Sequence, residues 1–232
     1  MSQFENKVVL ITGAKGGLGS YVTQAFLAAG ARVVGSSRSI QASDFPHANF
    51  TPMPAELPGA DSARALADAV VAQFQRIDVL VHVLGGFAGG KPVAETDDET
   101  LDLMLNLNLR SAFHVARGVI PHMRRQGAGR IVAVGSRAAL EPRGFIGAYS
   151  ASKAALVSLM RTLALENADL GIAVNVVLPE TMDTPANRAG DPKADFSKWV
   201  PPGKVASSIL WLASDAASHV SGAAVPVFGK SL

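Results

Sequence analysis

Tyr149 and Lys153 stand four residues apart in Tyr149-Ser150-Ala151-Ser152-Lys153, the separation that brings two side chains onto one face of a helix. A phenol is a poor acid or base near neutrality, because its ordinary pKa is roughly 10. An ammonium fixed beside it favours the phenolate and moves that pKa towards neutrality, where proton transfer is efficient. Ser136 follows an apolar run, Arg130 to Val134, and a hydroxyl at the end of such a strand would polarise a carbonyl oxygen next to the tyrosine. The three residues together offer proton transfer at an oxygen. Taken singly, each has a plainer role: a helix-start aromatic, a solvated charge and a loop hydroxyl.

Thr12-Gly13-Ala14-Lys15-Gly16-Gly17-Leu18-Gly19 joins the apolar run Val8 to Ile11 to a helical stretch, Leu18 to Ala29. Gly13 suits a tight turn off the strand, Gly17 an approach of backbone N–H groups to a pyrophosphate, and Gly19 close packing of helix on strand. A glycine-rich turn alone says little; in the opening βα unit it reads as a dinucleotide site. A bound oxidised nicotinamide would add positive charge beside Tyr149. Cofactor choice is read at the end of the second strand, where a carboxylate would hold the adenosine ribose and exclude a 2′-phosphate. Gly35-Ser36-Ser37-Arg38 has no carboxylate there. Ser37, the Arg38 guanidinium and Lys15 favour NADP(H), and NAD(H) is the alternative if Arg38 is an ordinary exposed arginine.

Those groups need a scaffold, and the sequence supplies alternating elements. Short β-branched runs at Val8 to Ile11, Arg32 to Val34, Val79 to Val81, Arg130 to Val134, Ile172 to Leu178 and Ala223 to Phe228 alternate with helical stretches. The helices are expected at Leu18 to Ala29, Ser62 to Phe74, Leu101 to Met123, Ala151 to Leu165 and Val205 to Leu212. Strands separated by helices require crossovers, which predicts an α/β fold, a doubly wound parallel sheet with helices on both faces. No linker divides residues 1–232, so a single domain is expected. Arg38 to Asn49 is too short for a full helix, leaving a loop between the second and third strands. Glu180 to Pro202 has four prolines and little helical period. It leaves a strand's C-terminal end, where such sheets bind ligands, and is expected to be a substrate lid.

Composition removes other classes. The 232 residues are 48% hydrophobic, and 21 Lys+Arg against 19 Asp+Glu leave a net charge of +2, too few clustered cations for a nucleic-acid partner. The absence of cysteine excludes disulfides, thiolate nucleophiles and cysteine-based metal sites. No apolar run approaches the roughly 20 residues of a membrane span, and the N-terminus lacks the pattern of a secretion signal, so a cytoplasmic protein is expected. Asp97-Asp98-Glu99 after Thr96 reads as helix capping rather than a metal cluster. His114 and His122 lack the spacing of a helical metal pair, and no metal is expected.

The glycine loop, the tyrosine–lysine pair and a serine thirteen residues before the tyrosine (149 − 136 = 13) resemble the short-chain dehydrogenase/reductases over nearly the whole chain. The resemblance implies a Rossmann-type sheet of about seven strands and a Ser136, Tyr149, Lys153 and Asn108 set. In it Lys153 also binds the nicotinamide ribose, and Asn108 supports a proton relay through water. It places Glu56 and Leu57 against adenine, Leu84 and Gly85 in the loop after the fourth strand, and Pro179 and Thr184 at the nicotinamide. A homodimer or homotetramer, formed through the two long helices, is also implied. The chain departs from the pattern at His82, expected to be a core histidine, at Glu180 in place of a glycine, and at Phe228-Gly229-Lys230. The Gly85 to Gly90 and Thr184 to Trp199 stretches resemble the dihydropteridine reductase branch, and Trp199 and Phe87 are candidate pocket walls. The expected activity is hydride transfer between a nicotinamide and a carbonyl or alcohol of a small molecule. The alternatives are a quinonoid dihydropteridine-type reductase and a non-catalytic nucleotide-binding regulatory protein.

Overall fold

Val8–Thr12 (β1) is buried at all five positions, as a continuously apolar strand must be when both faces of its sheet are covered. A computed structural model describes residues 3–229; Lys230 of the C-terminal motif lies outside them. Around β1 the sheet is completed by Arg32–Ser36 (β2), Phe50–Pro52 (β3), Val79–His82 (β4), Gly129–Val134 (β5), Ile172–Pro179 (β6) and Ala224–Val227 (β7). All neighbours pair in parallel, in the order β3-β2-β1-β4-β5-β6-β7. The chain order reverses between β1 and β4, and there the strand ends open a crevice. This is the Rossmann-type doubly wound sheet expected from the sequence.

Alternation along β1 sends side chains to two cores. Val8 and Leu10 join one cluster with Leu66 and Val70 of Ala60–Phe74 (α2), Val115 and Val119 of Ser111–Gln126 (α4), and Leu156 and Met160 of Gly147–Glu166 (α5). Val9 and Ile11 join the other with Val22 and Phe26 of Gly19–Ala28 (α1), and Val205 and Ile209 of Pro202–Ala213 (α7). Among the described residues no helix is long and apolar enough to cross a membrane.

Two elements differ from expectation. The single helix expected from Leu101 to Met123 is Asp98–Leu105 (α3), then a π-helical turn at Asn106–Arg110, then α4. One extra residue per turn shifts the helical face without erasing its apolar period. Asp97 caps α3 by accepting the Thr100 N–H at 2.8 Å, with Asp98 and Glu99 in the first turn, as the capping reading expected. The segment 180–202 does contain helix: Pro185–Gly190 (α6), capped by Thr184, whose Oγ1 accepts the Asn187 N–H. Its ends are tied by a bridge between Met182 and Val200.

Asn175, buried in β6, holds the approach to β7: its Nδ2 donates to the Val220 carbonyl at 2.7 Å and its Oδ1 accepts from the Ala223 N–H at 3.0 Å. Asn175→Leu leaves both backbone groups without that partner. The expected loss is about 1–3 kcal/mol for each buried group stranded, read as a lowered urea midpoint with an unchanged slope.

Candidate active site

The glycine loop leaves β1 at Gly13, whose φ of +70° is the left-handed region that glycine enters without steric cost. A Cβ on Gly13 would stand 2.8 Å from the Leu84 nitrogen, and one on Gly19 would collide with the Gly13 carbonyl oxygen. Both positions therefore require glycine. Gly17 faces the buried Thr184, where a Cβ would meet the threonine methyl at 3.1 Å. The loop thus lies between the residues after β4 and those after β6, at the N-terminus of α1.

At the end of β2, Ser37 Oγ accepts the Lys15 N–H at 3.2 Å, and Arg38 is exposed. Lys15 is not a second open cation: its Nζ pairs with Asp44 at 2.8 Å and donates to the Ser39 carbonyl at 3.3 Å. The Lys15 ammonium and the Gln41 N–H hold the Asp44 carboxyl below its usual range. The residues after β3 run beside this end, with the Ala55 N–H donating to the Ser37 carbonyl at 3.3 Å. Glu56 there is exposed, while Leu57 packs on the core.

Ser136, Tyr149, Lys153 and Asn108 come together beyond the ends of β4 and β5. Ser136 Oγ accepts the Ala138 N–H at 3.2 Å, with its hydroxyl close enough to the Tyr149 phenol to act on it. Lys153 Nζ donates to the Val134 carbonyl at 2.8 Å and lies 6.0 Å from the centre of the Tyr149 ring. Burial pulls the Lys153 pKa down to about 8. Tyr149 is not drawn down by the protein's own charges as the residue spacing predicts. Burial raises its pKa, the Ser136 hydroxyl acts against that, and the Glu180 carboxylate adds to it.

Asn108 turns its carboxamide inward from the π-helical turn. Its Nδ2 donates to the Gly86 carbonyl and to Ser152 Oγ, each at 3.0 Å, and its Oδ1 accepts the Gly86 N–H at 3.0 Å. Gly85 lies against Asn108 and Lys153: a Cβ there would be 2.8 Å from Asn108 Oδ1 and 3.2 Å from Lys153 Nζ. His82 has the core role expected of it. Its Nδ1 meets Thr12 Oγ1 at 2.9 Å and its Nε2 meets Ser111 Oγ at 3.2 Å. Burial, aided by the Lys153 charge, lowers its pKa to about 3, so the ring is neutral.

Pro179 ends β6 and hands the chain to Glu180, whose Oε2 accepts from Arg143 Nη2 at 3.0 Å and Arg137 Nη1 at 3.2 Å. Arg137 also pairs with Glu141 at 2.7 Å and stacks over Phe228 with 4.6 Å to the ring centre. On another side Phe87 meets the Tyr149 ring edge to face, with 5.0 Å between centres. Trp199 instead packs on Phe196 within the segment after β6, 4.7 Å between centres. Among the described residues no three His, Asp or Glu side chains are placed to share a metal ion.

The model of the short chain dehydrogenase family matches residues 7–195. The chain belongs to the short-chain dehydrogenases. It is 32% identical over 238 residues to the 3-oxoacyl-(acyl-carrier-protein) reductase of Salmonella typhimurium, with 97% of each chain covered. It is 33% identical over 248 residues to the 2,3-dihydro-2,3-dihydroxybenzoate dehydrogenase of Escherichia coli, with 98% of each covered. Among solved structures, a short-chain type dehydrogenase/reductase from Mycobacterium ulcerans superposes with a TM-score of 0.93 at 28% identity, covering 99% of this chain and 90% of that one. The 3-ketoacyl-(acyl-carrier-protein) reductase of Brucella melitensis, complexed with NADH, gives 0.88 at 26% identity over 98% and 99%.

Four side chains of this short-chain dehydrogenase were not read from its sequence: Asp44, Arg137, Arg143 and Phe145. Glu180 was the available signal for two of them, since a carboxylate in a position of low exposure requires cations close by. The neutral, buried His82 ties stability to pH. Its depressed folded pKa means that stability is complete above the unfolded value near 6.5 and declines as pH falls towards the folded value of about 3. His82→Asn removes that dependence. Between pH 7.5 and 5.5 the stability difference between wild type and variant, from urea titrations, should shrink by about 1.4 kcal/mol.

Proposed function

We propose that this short-chain dehydrogenase is an NADP(H)-preferring oxidoreductase that interconverts a carbonyl and an alcohol on a small molecule. One observation carries the reading: the Ser136 hydroxyl acts on the Tyr149 phenol, and the Lys153 ammonium is fixed on the Val134 carbonyl 6.0 Å from the centre of the tyrosine ring. The residues fit a dinucleotide. Gly13 and Gly19 let the loop close tightly at the N-terminus of α1, where a Cβ would strike the chain's own backbone, and together with Gly85, Leu18, Leu84, Pro179 and Thr184 they would hold its pyrophosphate and nicotinamide ends. Glu56 and Leu57 would face the adenine. A bound nicotinamide supplies or takes the hydride. Tyr149 gives its proton to the carbonyl oxygen, Ser136 donates a hydrogen bond to that oxygen, and Lys153 holds positive charge next to the phenol. Asn108 keeps the loop after β4 and the start of α5 in register with Lys153 and supports the proton relay.

NADP(H) is supported by Ser37 and Arg38 at the end of β2, where no carboxylate stands. Asp44 already pairs with Lys15, so selection falls on Arg38. The segment 180–202, pinned at its base by the Met182–Val200 bridge, is the proposed substrate lid. The exposed Phe113 on α4 and Leu165 on α5 support assembly of copies through those helices.

Tyr149→Phe should lower kcat by roughly 10²–10⁴-fold while NADPH binding, followed by tryptophan fluorescence, is kept; undiminished turnover overturns the mechanism. Arg38→Glu should lower the NADPH-over-NADH affinity ratio by about tenfold or more, the scale of a lost charge-assisted bond. An unchanged ratio removes Arg38 as the selector.

A further inference from the structure

The Glu180 cluster borders the reacting groups and is not explained by the catalytic set. Arg137 directly follows Ser136, Glu180 directly follows Pro179, and the Glu180 carboxylate acts on Tyr149. Glu180 is turned inward, its side chain 11% exposed. Its Oε2 takes both arginines, and its Oε1 takes the Thr181 N–H at 3.2 Å and the Thr181 hydroxyl at 3.4 Å. Arg137 is bound by two carboxylates, Glu141 and Glu180. Arg143 differs. Its side chain is 63% exposed and gives Nη2 to Glu180, and a guanidinium has five N–H donors in a flat fork that matches a carboxylate.

The cluster is close to neutral in sum, counting Arg137 and Arg143 against Glu141 and Glu180. Two members face solvent, Arg143 at 63% and Glu141 at 55%, but Glu141 is taken by Arg137 Nε and Nη2, each at 2.7 Å, so the group that offers unused N–H donors to an anion is the Arg143 guanidinium. Two exposed aromatic rings stand on the neighbouring loops. Phe87, 66% exposed, lies on the Tyr149 ring, and Phe145, 62% exposed, stands two residues beyond Arg143. Phe145 has a left-handed backbone, φ +67°, that a bulky residue rarely adopts. Its carbonyl accepts the Gly90 N–H at 2.7 Å, which fastens the Arg143 loop to the Phe87 loop.

We propose that Arg143, braced by Glu180, receives a carboxylate of the substrate while Phe87 and Phe145 cover its apolar body, so that the enzyme acts on oxo acids with an apolar or aromatic body. The inference deepens the reading of Tyr149 as proton donor to a carbonyl and rests on it. Glu180 is then a positioning residue, which fixes the guanidinium without presenting its own charge.

The test measures NADPH oxidation with phenylglyoxylate, benzoylacetate and 3-benzoylpropionate, each beside its methyl ester, so that the distance from carbonyl to carboxylate varies. At least one acid should exceed its ester by about tenfold or more in kcat/KM, mainly through KM. Arg143→Gln should bring that ratio close to one, and Arg143→Lys should restore part of it by supplying charge without the fork. Esters that match or exceed their acids throughout, or a ratio unmoved in Arg143→Gln, overturn the proposal. Binding of benzoate, phenylacetate and 3-phenylpropionate to the NADPH-loaded protein, by calorimetry, decides the matter where none of the compounds turns over. Binding that weakens by about tenfold in Arg143→Gln sustains it, and no binding, or equal binding, defeats it. Tyr149→Phe separates the two readings: full turnover there sinks the catalytic assignment, while carboxylate binding lost only with Arg143 leaves the recognition site standing.

Discussion

A single buried carboxamide holds the site together. Asn108 bonds both the N–H and the carbonyl of Gly86 and also reaches Ser152, so one side chain joins the helix pair α3–α4, the loop after β4 and the first turns of α5. An amide in an apolar interior is tolerated only when its donors and acceptor find partners, and here the partners lie on three separate segments. None of the three can settle alone without stranding the amide. The π-helical turn is the device that aims Asn108 inward, because a regular helix through Asn106–Arg110 would rotate that side chain to a different face. Gly85 then becomes obligatory, since its neighbours on either side are Asn108 Oδ1 and Lys153 Nζ.

Burial sets the electrostatics that follow. It lowers Lys153 to about 8, raises Tyr149 and lowers His82 to about 3, three shifts with one first cause. Their combined result is a site whose interior carries one cation. His82 stays neutral and bridges two hydroxyls, Tyr149 stays a phenol able to donate, and Lys153, fixed on a carbonyl, keeps an ammonium near neutrality. A second buried charge would have to be paired to be tolerated. Glu180 is that charge, and its two arginines are the pairing.

The parts legible in the sequence are those governed by local physics. β-branched runs with continuous apolarity gave strands buried on both faces, and Gly13 and Gly19 were readable because the chain's own backbone excludes a Cβ at each. Tyr149 and Lys153 were readable because helical spacing alone sets them side by side. The π-helical turn was not, since a one-residue insertion leaves enough apolar period to pass for a single helix from Leu101 to Met123. Helix α6, six residues long, is too short to show a period at all. The pairs Lys15–Asp44, Arg143–Glu180 and Arg137–Glu180 join residues brought near only by the sheet order, and spacing in sequence carries no record of them. The downward pull of Lys153 on Tyr149 was expected from adjacency, but burial of the phenol counts for more than an ammonium at 6.0 Å.

The loops after β4 and β5 are joined as a pair. Gly90, with φ +104°, donates its N–H to Phe145, which has φ +67°, so two left-handed residues meet at the one bond between them. A Cβ on Gly89 would stand 2.8 Å from the Ile146 side chain and 3.1 Å from the Phe145 carbonyl, so the approach depends on its lacking one. At Phe145, unlike the glycine, such backbone costs on the order of 1–3 kcal/mol and persists only where surrounding contacts over-determine it. Here those contacts are the Gly90 hydrogen bond, Phe87 on Tyr149, and Arg143 on Glu180, which tie the segment leading into α5 to the loops after β4 and β6. Movement of either loop would therefore disturb the aromatic cover and the guanidinium together. That coupling makes the two walls one recognition surface rather than two independent loops.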